Sequence, residues 1–169
     1  MSGLEAGSAL DALQSAGAAP KSLRGAITYA AGTTGAIGST TLFTVTGDVG
    51  LVSVMAKCTT DLTSAGLPTW TLGVTGQTDI LSVTFPDVTG WDAGEWVDGG
   101  SATYLLGGAR TGNILIGGGT TDVPLPVSAN IIQTIAVATI TGGVVRWYLS
   151  YIPLSGNGAV TLHANLVEF

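Results

Sequence analysis

Residues 130–152 read NIIQTIAVATITGGVVRWYLSYI, and this stretch decides the fold class. In its second half, Val145, Trp147, Leu149 and Tyr151 occupy every second position. Alternation with a period of two puts these side chains on one face of a β-strand, as expected when that face is buried. The Gly-Gly pair between two apolar runs is typical of a tight turn, so the stretch predicts a β-hairpin.

The same pattern extends over most of the chain. Short runs rich in Thr, Val and Leu are separated by turn signals such as TGDVG at 46–50, which predicts a second hairpin, and SGNG at 155–158. No convincing helical pattern follows residue 16. The sequence therefore predicts one all-β domain over residues 25–169, an antiparallel β-sandwich or jelly roll. The predicted strands are 25–31, 37–46, 49–59, 69–75, 79–85, 101–106, 113–117, 130–141, 143–152 and 159–168.

Composition excludes several other classes. The chain has 169 residues, of which 26 are Gly, 6 are Pro and 1 is Cys, and its mean hydropathy is +0.50. A disordered tail would be poor in apolar residues, yet 46% of this chain is hydrophobic. Collagen requires Gly at every third position, and a disulfide scaffold requires several Cys. No apolar run approaches the roughly 18 residues of a membrane-spanning helix.

Residues 1–24 differ from the rest because they are rich in Ala, Ser and Gly. A faint helical pattern is weakened by Gly3 and Gly7, at roughly 1 kcal/mol each, and Pro20 ends any helix. We therefore predict an N-terminal arm, extended or in a short helix, that becomes ordered on a neighbouring protein. The candidate partner-binding residues of this arm are Leu4, Leu10, Leu13, Lys21 and Arg24.

Charge is both scarce and negative. Only 9% of the residues are charged, and 5 basic against 11 acidic residues give a net charge of −6. Scattered basic residues on an acidic chain argue against direct binding to nucleic acid or to an anionic membrane. A free soluble domain usually carries more charge on its surface. Two explanations fit the low charge. Either much of the surface is covered by copies of the chain or by a larger assembly, or the chain forms a robust extracellular or particle surface where neutral polar residues suffice. The arm favours the first.

The least strand-like stretch is PDVTGWDAGEWVDGG at 86–100, which is predicted to be a loop. Its tryptophans either cap one end of the sandwich or are exposed. Exposed, they would be stacking platforms for sugar, and the acids would be a carboxylate pair for glycoside hydrolysis or oxygen ligands for calcium. A solvated loop and a contact with another subunit are the plainer interpretations. The candidate ligand residues are Trp91, Asp92, Glu95, Trp96 and Asp98.

Catalytic and metal motifs are otherwise lacking. Cys58 shares a predicted strand face with Val52, Val54 and Ala56, which indicates a buried, inert thiol. His163 is the only histidine, and it is predicted to be exposed or at an interface. One Cys and one His cannot supply a zinc site, and no GxSxG motif is present. We therefore expect no catalytic residues, no cofactor and no enzymatic activity.

Three stretches together resemble the small β-rich structural proteins of tailed bacteriophages. These are STTLFTVTGDVGLVSVMAKCTTDLTSAG, PTWTLGVTGQTDILSV and NIIQTIAVATITGGVVRWYLSYIPLSGNGAVT. The resemblance implies a virion protein, foremost a capsid decoration or cement protein that bridges capsid subunits. It further implies a trimer or another symmetric unit that contacts the major capsid protein, with the arm on the shell. The alternative is a carbohydrate- or receptor-binding β-sandwich of a tail fibre or cell surface, with Trp91 and Trp96 as its platforms.

Overall fold

The computed structural model describes residues 19–78, 81, 87–97 and 124–169, and every regular element in these residues is a β-strand. None of them forms a helix that is long and apolar enough to cross a membrane. The strands are β1 (Lys21–Thr28), β2 (Gly38–Thr46), β3 (Val49–Thr63), β4 (Thr69–Val74), β5 (Trp96–Val97), β6 (Leu125–Val127), β7 (Ile131–Ala136), β8 (Gly142–Pro153) and β9 (Ala159–Leu162).

These strands form two antiparallel sheets that pack face to face. The first sheet has the order β1-β8-β3, and β5 and β6 pair with different parts of the free edge of β3. The second sheet has the order β4-β7-β2-β9. The pairing is nested, because β1 pairs with β8, β2 with β7 and β3 with β6. The predicted all-β antiparallel sandwich is thus confirmed.

The core lies between the sheets and is built by the predicted alternation. All four alternating residues of β8, including Trp147 and Tyr151, are buried, and Trp70 and Leu72 of β4 are buried from the opposite sheet. The indole rings of Trp70 and Trp147 stack at a centroid distance of 5.3 Å across the interface between the sheets. Cys58 is buried beside them, as predicted.

The two predicted hairpins are wrong. β7 and β8 flank the Gly-Gly pair of the TGG turn, yet they belong to different sheets and do not pair. β2 and β3 flank TGDV and likewise lie in different sheets. In both cases the chain turns a corner of the sandwich instead of folding back on itself. Glycine-rich turns permit either path, and the choice depends on which distant strand each segment pairs with.

The first and the last predicted strands also differ from expectation. β1 begins at Lys21, four residues before the predicted strand 25–31, because residues from Lys21 onward pair with β8. The predicted strand 159–168 ends at Leu162. The chain then turns, and Val167 forms a bridge with Ala26, the two residues exchanging backbone hydrogen bonds of 2.8 and 2.9 Å. Residues 163–169 therefore carry the chain from the second sheet to the free edge of β1.

Candidate functional site

The outer face of the first sheet carries three of the five basic side chains of the protein. Arg146 on β8 is paired with Lys57 on β3, and Tyr148 of β8 is paired with Arg24 on β1. Directly paired residues point to the same side of a sheet. This side is the outer one, because Trp147, between Arg146 and Tyr148, points into the core and is fully buried.

Aromatic rings lie among these cations. Trp96 on β5 contacts Tyr148 with ring centroids 5.2 Å apart, and Phe169 meets the other side of Tyr148 edge to face at 5.6 Å. Lys57 Nζ lies 5.1 Å from the centroid of Trp96, and Arg146 Cζ lies 4.4 Å from that of Phe169. We call this group the aromatic–cationic face; it consists of Arg24, Lys57, Trp96, Arg146, Tyr148 and Phe169.

Two cations of this face contact aromatic rings, and the face forms no ion pair among the described residues. In the part of the chain that the structure describes, Lys57 and Arg146 are placed by cation–π contacts, and no carboxylate forms an ion pair with them or with Arg24. A cation–π contact orients a cation but leaves its charge in place. The three cations therefore keep their charge on this face of a protein whose net charge is −6.

The two tryptophans of the predicted ligand loop have different environments. Trp96 is half-buried on the outer face. Trp91 is only 3% exposed, and its ring packs edge to face against Trp70 at 5.6 Å. The prediction that Trp91 is a stacking platform for sugar is wrong, because its indole is buried in the core. The proposal that these residues cap the sandwich fits Trp91 and not Trp96.

The acids of this loop stabilise its own backbone. Glu95 Oε2 accepts a hydrogen bond from the amide of Asp92 at 3.1 Å, and Asp61 of β3 accepts one from the amide of Ala93 at 2.7 Å. Asp87 accepts hydrogen bonds from the amide and hydroxyl of Thr89. No group of three or more possible metal ligands occurs among the residues described, and Asp98 lies outside them. Asp87 and Glu95 thus act as turn caps.

Cys58 is held as a neutral thiol. Burial, and then the nearby carboxylate of Asp61, raise the pKa of the Cys58 thiol to about 11. Its Sγ donates weak hydrogen bonds to the carbonyl oxygens of Thr60 and Trp91. Because the thiolate is the reactive form, this environment makes Cys58 a poor nucleophile at neutral pH.

His163 borders a shallow open cleft that is otherwise lined by Thr, Ser and Asn side chains. The backbone amide of His163 donates to the carbonyl oxygen of Leu42, and its Nδ1 faces the amide of Asn165 at 3.4 Å. None of the described residues that line this cleft is an acid, so none of them orients or activates His163 as a carboxylate would.

The candidate arm residues are divided between two regions. Leu4, Leu10 and Leu13 lie outside the described residues. Lys21 and Arg24 lie on β1, where they pair with Tyr151 and Tyr148. Arg24 therefore belongs to the aromatic–cationic face. Sequence reasoning missed Lys57, Tyr148 and Phe169 as members of this face; the available signal was that Arg146 and Tyr148 alternate with the buried residues of β8.

Comparison with known proteins gives only distant similarity. No protein-family model matches the chain, and no curated protein matches its sequence. A chain of the cyanophage Pam1 capsid asymmetric unit is 15% identical, with 80% of this chain and 85% of that chain covered and a TM-score of 0.44. A chain of the acidic stable capsid structure of Helicobacter pylori bacteriophage KHP30 is 10% identical, with 86% and 100% covered and a TM-score of 0.46. At such identities no site residue can be transferred.

Proposed function

We propose that this protein is a non-enzymatic structural protein of a tailed-bacteriophage virion. Its place is the capsid surface, where it acts as a decoration or cement protein that bridges subunits of the major capsid protein. It works as a homotrimer, without a cofactor and without direct contact with nucleic acid or membrane. The nested strand pairing supports a jelly-roll form of the sandwich.

The observation that carries this proposal is the neutral polar surface that the sheets present outside the aromatic–cationic face. Exposed neighbouring strands are linked by hydroxyl pairs: Ser22 with Ser150 at 3.2 Å, and Ser39 with Thr134 at 2.8 Å. Hydroxyls that satisfy each other cost little when another protein covers them, whereas unpaired charges would have to be desolvated. A surface of this kind suits a subunit whose outer faces are permanently covered by other subunits.

The aromatic–cationic face supports the same function. Its cations lack carboxylate partners among the described residues, and its rings supply rigid contact area. Aromatic residues and Arg carry much of the binding energy in protein interfaces. We assign this face to an acidic surface of the capsid proteins. The stabilising mechanism is passive, because anything that binds the assembled shell and not its dissociated subunits shifts the equilibrium toward the shell.

The first test is truncation of the arm. Deleting residues 1–20 is expected to abolish binding to purified particles that lack this protein, while the melting temperature stays unchanged, because β1 begins at Lys21. Cosedimentation and scanning calorimetry measure the two effects. A full-length control replaces Leu4, Leu10 and Leu13 with Ser, and should behave like the deletion. Binding of the truncated protein with wild-type affinity would contradict the role of the arm.

The second test reverses one charge of the aromatic–cationic face. Arg146→Glu is expected to weaken binding to the same particles by about tenfold or more, because a repulsive contact replaces an attractive one. Added salt should weaken the wild type more than the variant. Thr161→Glu, on the exposed outer face of β9, is the matched control and should bind like the wild type. Equal binding by Arg146→Glu and Thr161→Glu would remove this face from the interface.

A carbohydrate- or receptor-binding role is the second candidate. The half-buried Trp96 beside Tyr148 is the observation that favours it, because such a pair can stack on a sugar ring. Binding on a glycan array that Trp96→Ala abolishes, with particle binding unchanged, would replace the proposed function with this one.

A further inference from the structure

The segment SGNG at 155–158 joins β8 to β9 and binds the turn between β2 and β3. Asp48 lies in that turn, and its carbonyl oxygen accepts hydrogen bonds from the amides of Leu154 at 2.9 Å and Ser155 at 3.2 Å. The amide of Asp48 donates to the hydroxyl oxygen of Ser155 at 2.9 Å. These bonds tie together two corners at which the chain crosses between the sheets. We call Gly47, Asp48 and residues 154–158 the corner latch.

The corner latch contains Asn157–Gly158, the only Asn–Gly pair in the sequence. Such a pair is prone to deamidation, because glycine has no Cβ to hinder the attack of its backbone nitrogen on the Asn side chain. A bond forms between this nitrogen and Cγ, the Cγ–Nδ2 bond breaks, and ammonia leaves with the amide proton. Water then opens the resulting succinimide at either carbonyl, which yields aspartate or isoaspartate. Asn157 is exposed, so water reaches it.

Ser155 engages both of the groups that would react. Its carbonyl oxygen accepts a hydrogen bond of 2.9 Å from the amide of Gly158, which is buried. Its hydroxyl donates to Oδ1 of Asn157 at 2.9 Å. The attacking nitrogen must lose its proton, and a buried, hydrogen-bonded amide gives up its proton only when the structure around it opens. Deamidation of Asn157 therefore requires the corner latch to open first.

The corner latch has no room for a longer backbone. A Cβ added to Gly47 would lie 2.5 Å from Oδ1 of Asn157, and a Cβ added to Gly158 would meet the carbonyl oxygen of Asp48. Isoaspartate lengthens the main chain by one methylene group, because the chain then runs through the former side-chain carbon. This carbon must push Gly158 away from Ser155 and Asp48. Isoaspartate at position 157 is therefore incompatible with the hydrogen bonds that hold Asp48.

We propose that Asn157 is a site of spontaneous deamidation that the corner latch keeps unreactive in the folded protein, and that isoaspartate formation there opens the latch irreversibly. The rate of deamidation then reports how often this corner of the sandwich opens. The site belongs to the folded chain itself, so it does not depend on the proposed function.

The experiment follows deamidation of Asn157 by peptide mass spectrometry while the full-length protein is incubated in mildly alkaline buffer, with and without denaturing urea. The folded protein should react slower than the unfolded chain by about tenfold or more, because only its open fraction reacts. Ser155→Ala should speed the reaction of the folded protein by about fivefold or more, since it removes the hydroxyl that binds Asn157 and Asp48. The rate in urea should be the same for both proteins.

Ser39→Ala is the matched control, because it removes a hydroxyl that pairs with Thr134, away from the corner latch. It should deamidate like the wild type. Equal rates with and without urea, or a Ser155→Ala rate no higher than that of Ser39→Ala, would overturn the protection by the latch.

Hydrogen exchange tests the opening of the latch. The amides of Asp48 and Leu154 should exchange faster in the isoaspartate form than in the unmodified protein, because they lose their hydrogen bonds. Asn157→Asp introduces the same charge without lengthening the backbone, and it should keep the slow exchange. Slow exchange in the isoaspartate form as well would contradict the opening of the latch.

Discussion

Trp147→Ala is expected to lower the free energy of unfolding by about 3–5 kcal/mol, the range for truncating a buried Trp. Trp147 is fully buried and lies on the central β8, where its ring stacks on Trp70 of the opposite sheet. Removing it opens a cavity between the two sheets and deletes the stacking contact, which is itself worth about 0.5–1.5 kcal/mol. Urea denaturation followed by circular dichroism measures the loss.

Trp147→Phe separates packing from hydrogen bonding. The indole Nε1 of Trp147 is buried and has no hydrogen-bond partner among the described residues, so the smaller ring removes area but no hydrogen bond seen there. This variant should lose clearly less stability than Trp147→Ala. Equal losses for Trp147→Phe and Trp147→Ala would mean that the buried area of the ring does not determine the loss of stability. A variant Trp147→Ala within about 1 kcal/mol of the wild type would contradict the central position of Trp147 in the core.

Strand faces could be predicted from the sequence because their signal is local. The alternation in β4 and β8 has a period of two, and a one-residue error would turn every apolar side chain to the solvent. The prediction of a buried Cys58 used the same pattern. The predicted shared face was less accurate at Val52. This residue is only partly buried, because β3 changes register between Leu51 and Ser53. A β-bulge of this kind depends on the partner strand and leaves little trace in the sequence.

Strand pairing could not be predicted, because it is determined by contacts between distant residues. No two strands that are consecutive among β1 to β4 or among β6 to β9 pair with each other; β1, for example, pairs with β8 more than a hundred residues away. The turns TGDV and TGG have the composition of hairpins but join strands in different sheets. Turn chemistry permits the change of direction, and the pairing partners decide where the chain goes.

The hydrogen-bonded polar group at the centre of the core could not be predicted from the sequence either. Gln133 is fully buried, and its Oε1 accepts hydrogen bonds from the Tyr29 hydroxyl at 2.7 Å and from Trp70 Nε1 at 3.2 Å. An indole nitrogen can only donate, so the carbonyl side of the amide must face it. Burial raises the pKa of Tyr29 well above its usual range, which keeps the hydroxyl protonated as a donor. A lone Gln in a strand gives no sign of two such partners.

The aromatic–cationic face could not be predicted without knowing which strands pair and in which register. Its cations and rings come from β1, β3, β5, β8 and residue 169, and their sequence positions have no common spacing. Arg146 illustrates this, because its cation–π partner lies far from it in the sequence. The ring beneath the guanidinium is that of Phe169, which reaches it because Val167 pairs with Ala26.

Gly143→Ala is expected to destabilise the protein by about 2–6 kcal/mol through two effects that add at this one position. Gly143 has φ of +110°, a conformation that side-chain-bearing residues rarely adopt. It also faces a register irregularity of β3, where Asp61 and Leu62 lie between the residues paired with Gly142 and Val144. An added Cβ would lie 2.6 Å from the carbonyl oxygen of Asp61 and 2.9 Å from Cα of Leu62.

These neighbours are backbone atoms of a strand in the first sheet, so they cannot move aside as a flexible side chain would. The second Gly of the TGG motif is therefore explained by close strand packing at a corner of the sandwich, and not by a hairpin. Gly156→Ala is the matched control, because Gly156 is exposed and an added Cβ there would meet no atom within 4 Å; its stability should stay within about 0.5 kcal/mol of the wild type. Equal melting temperatures for Gly143→Ala and Gly156→Ala would mean that β3 and β8 do not approach each other at this corner.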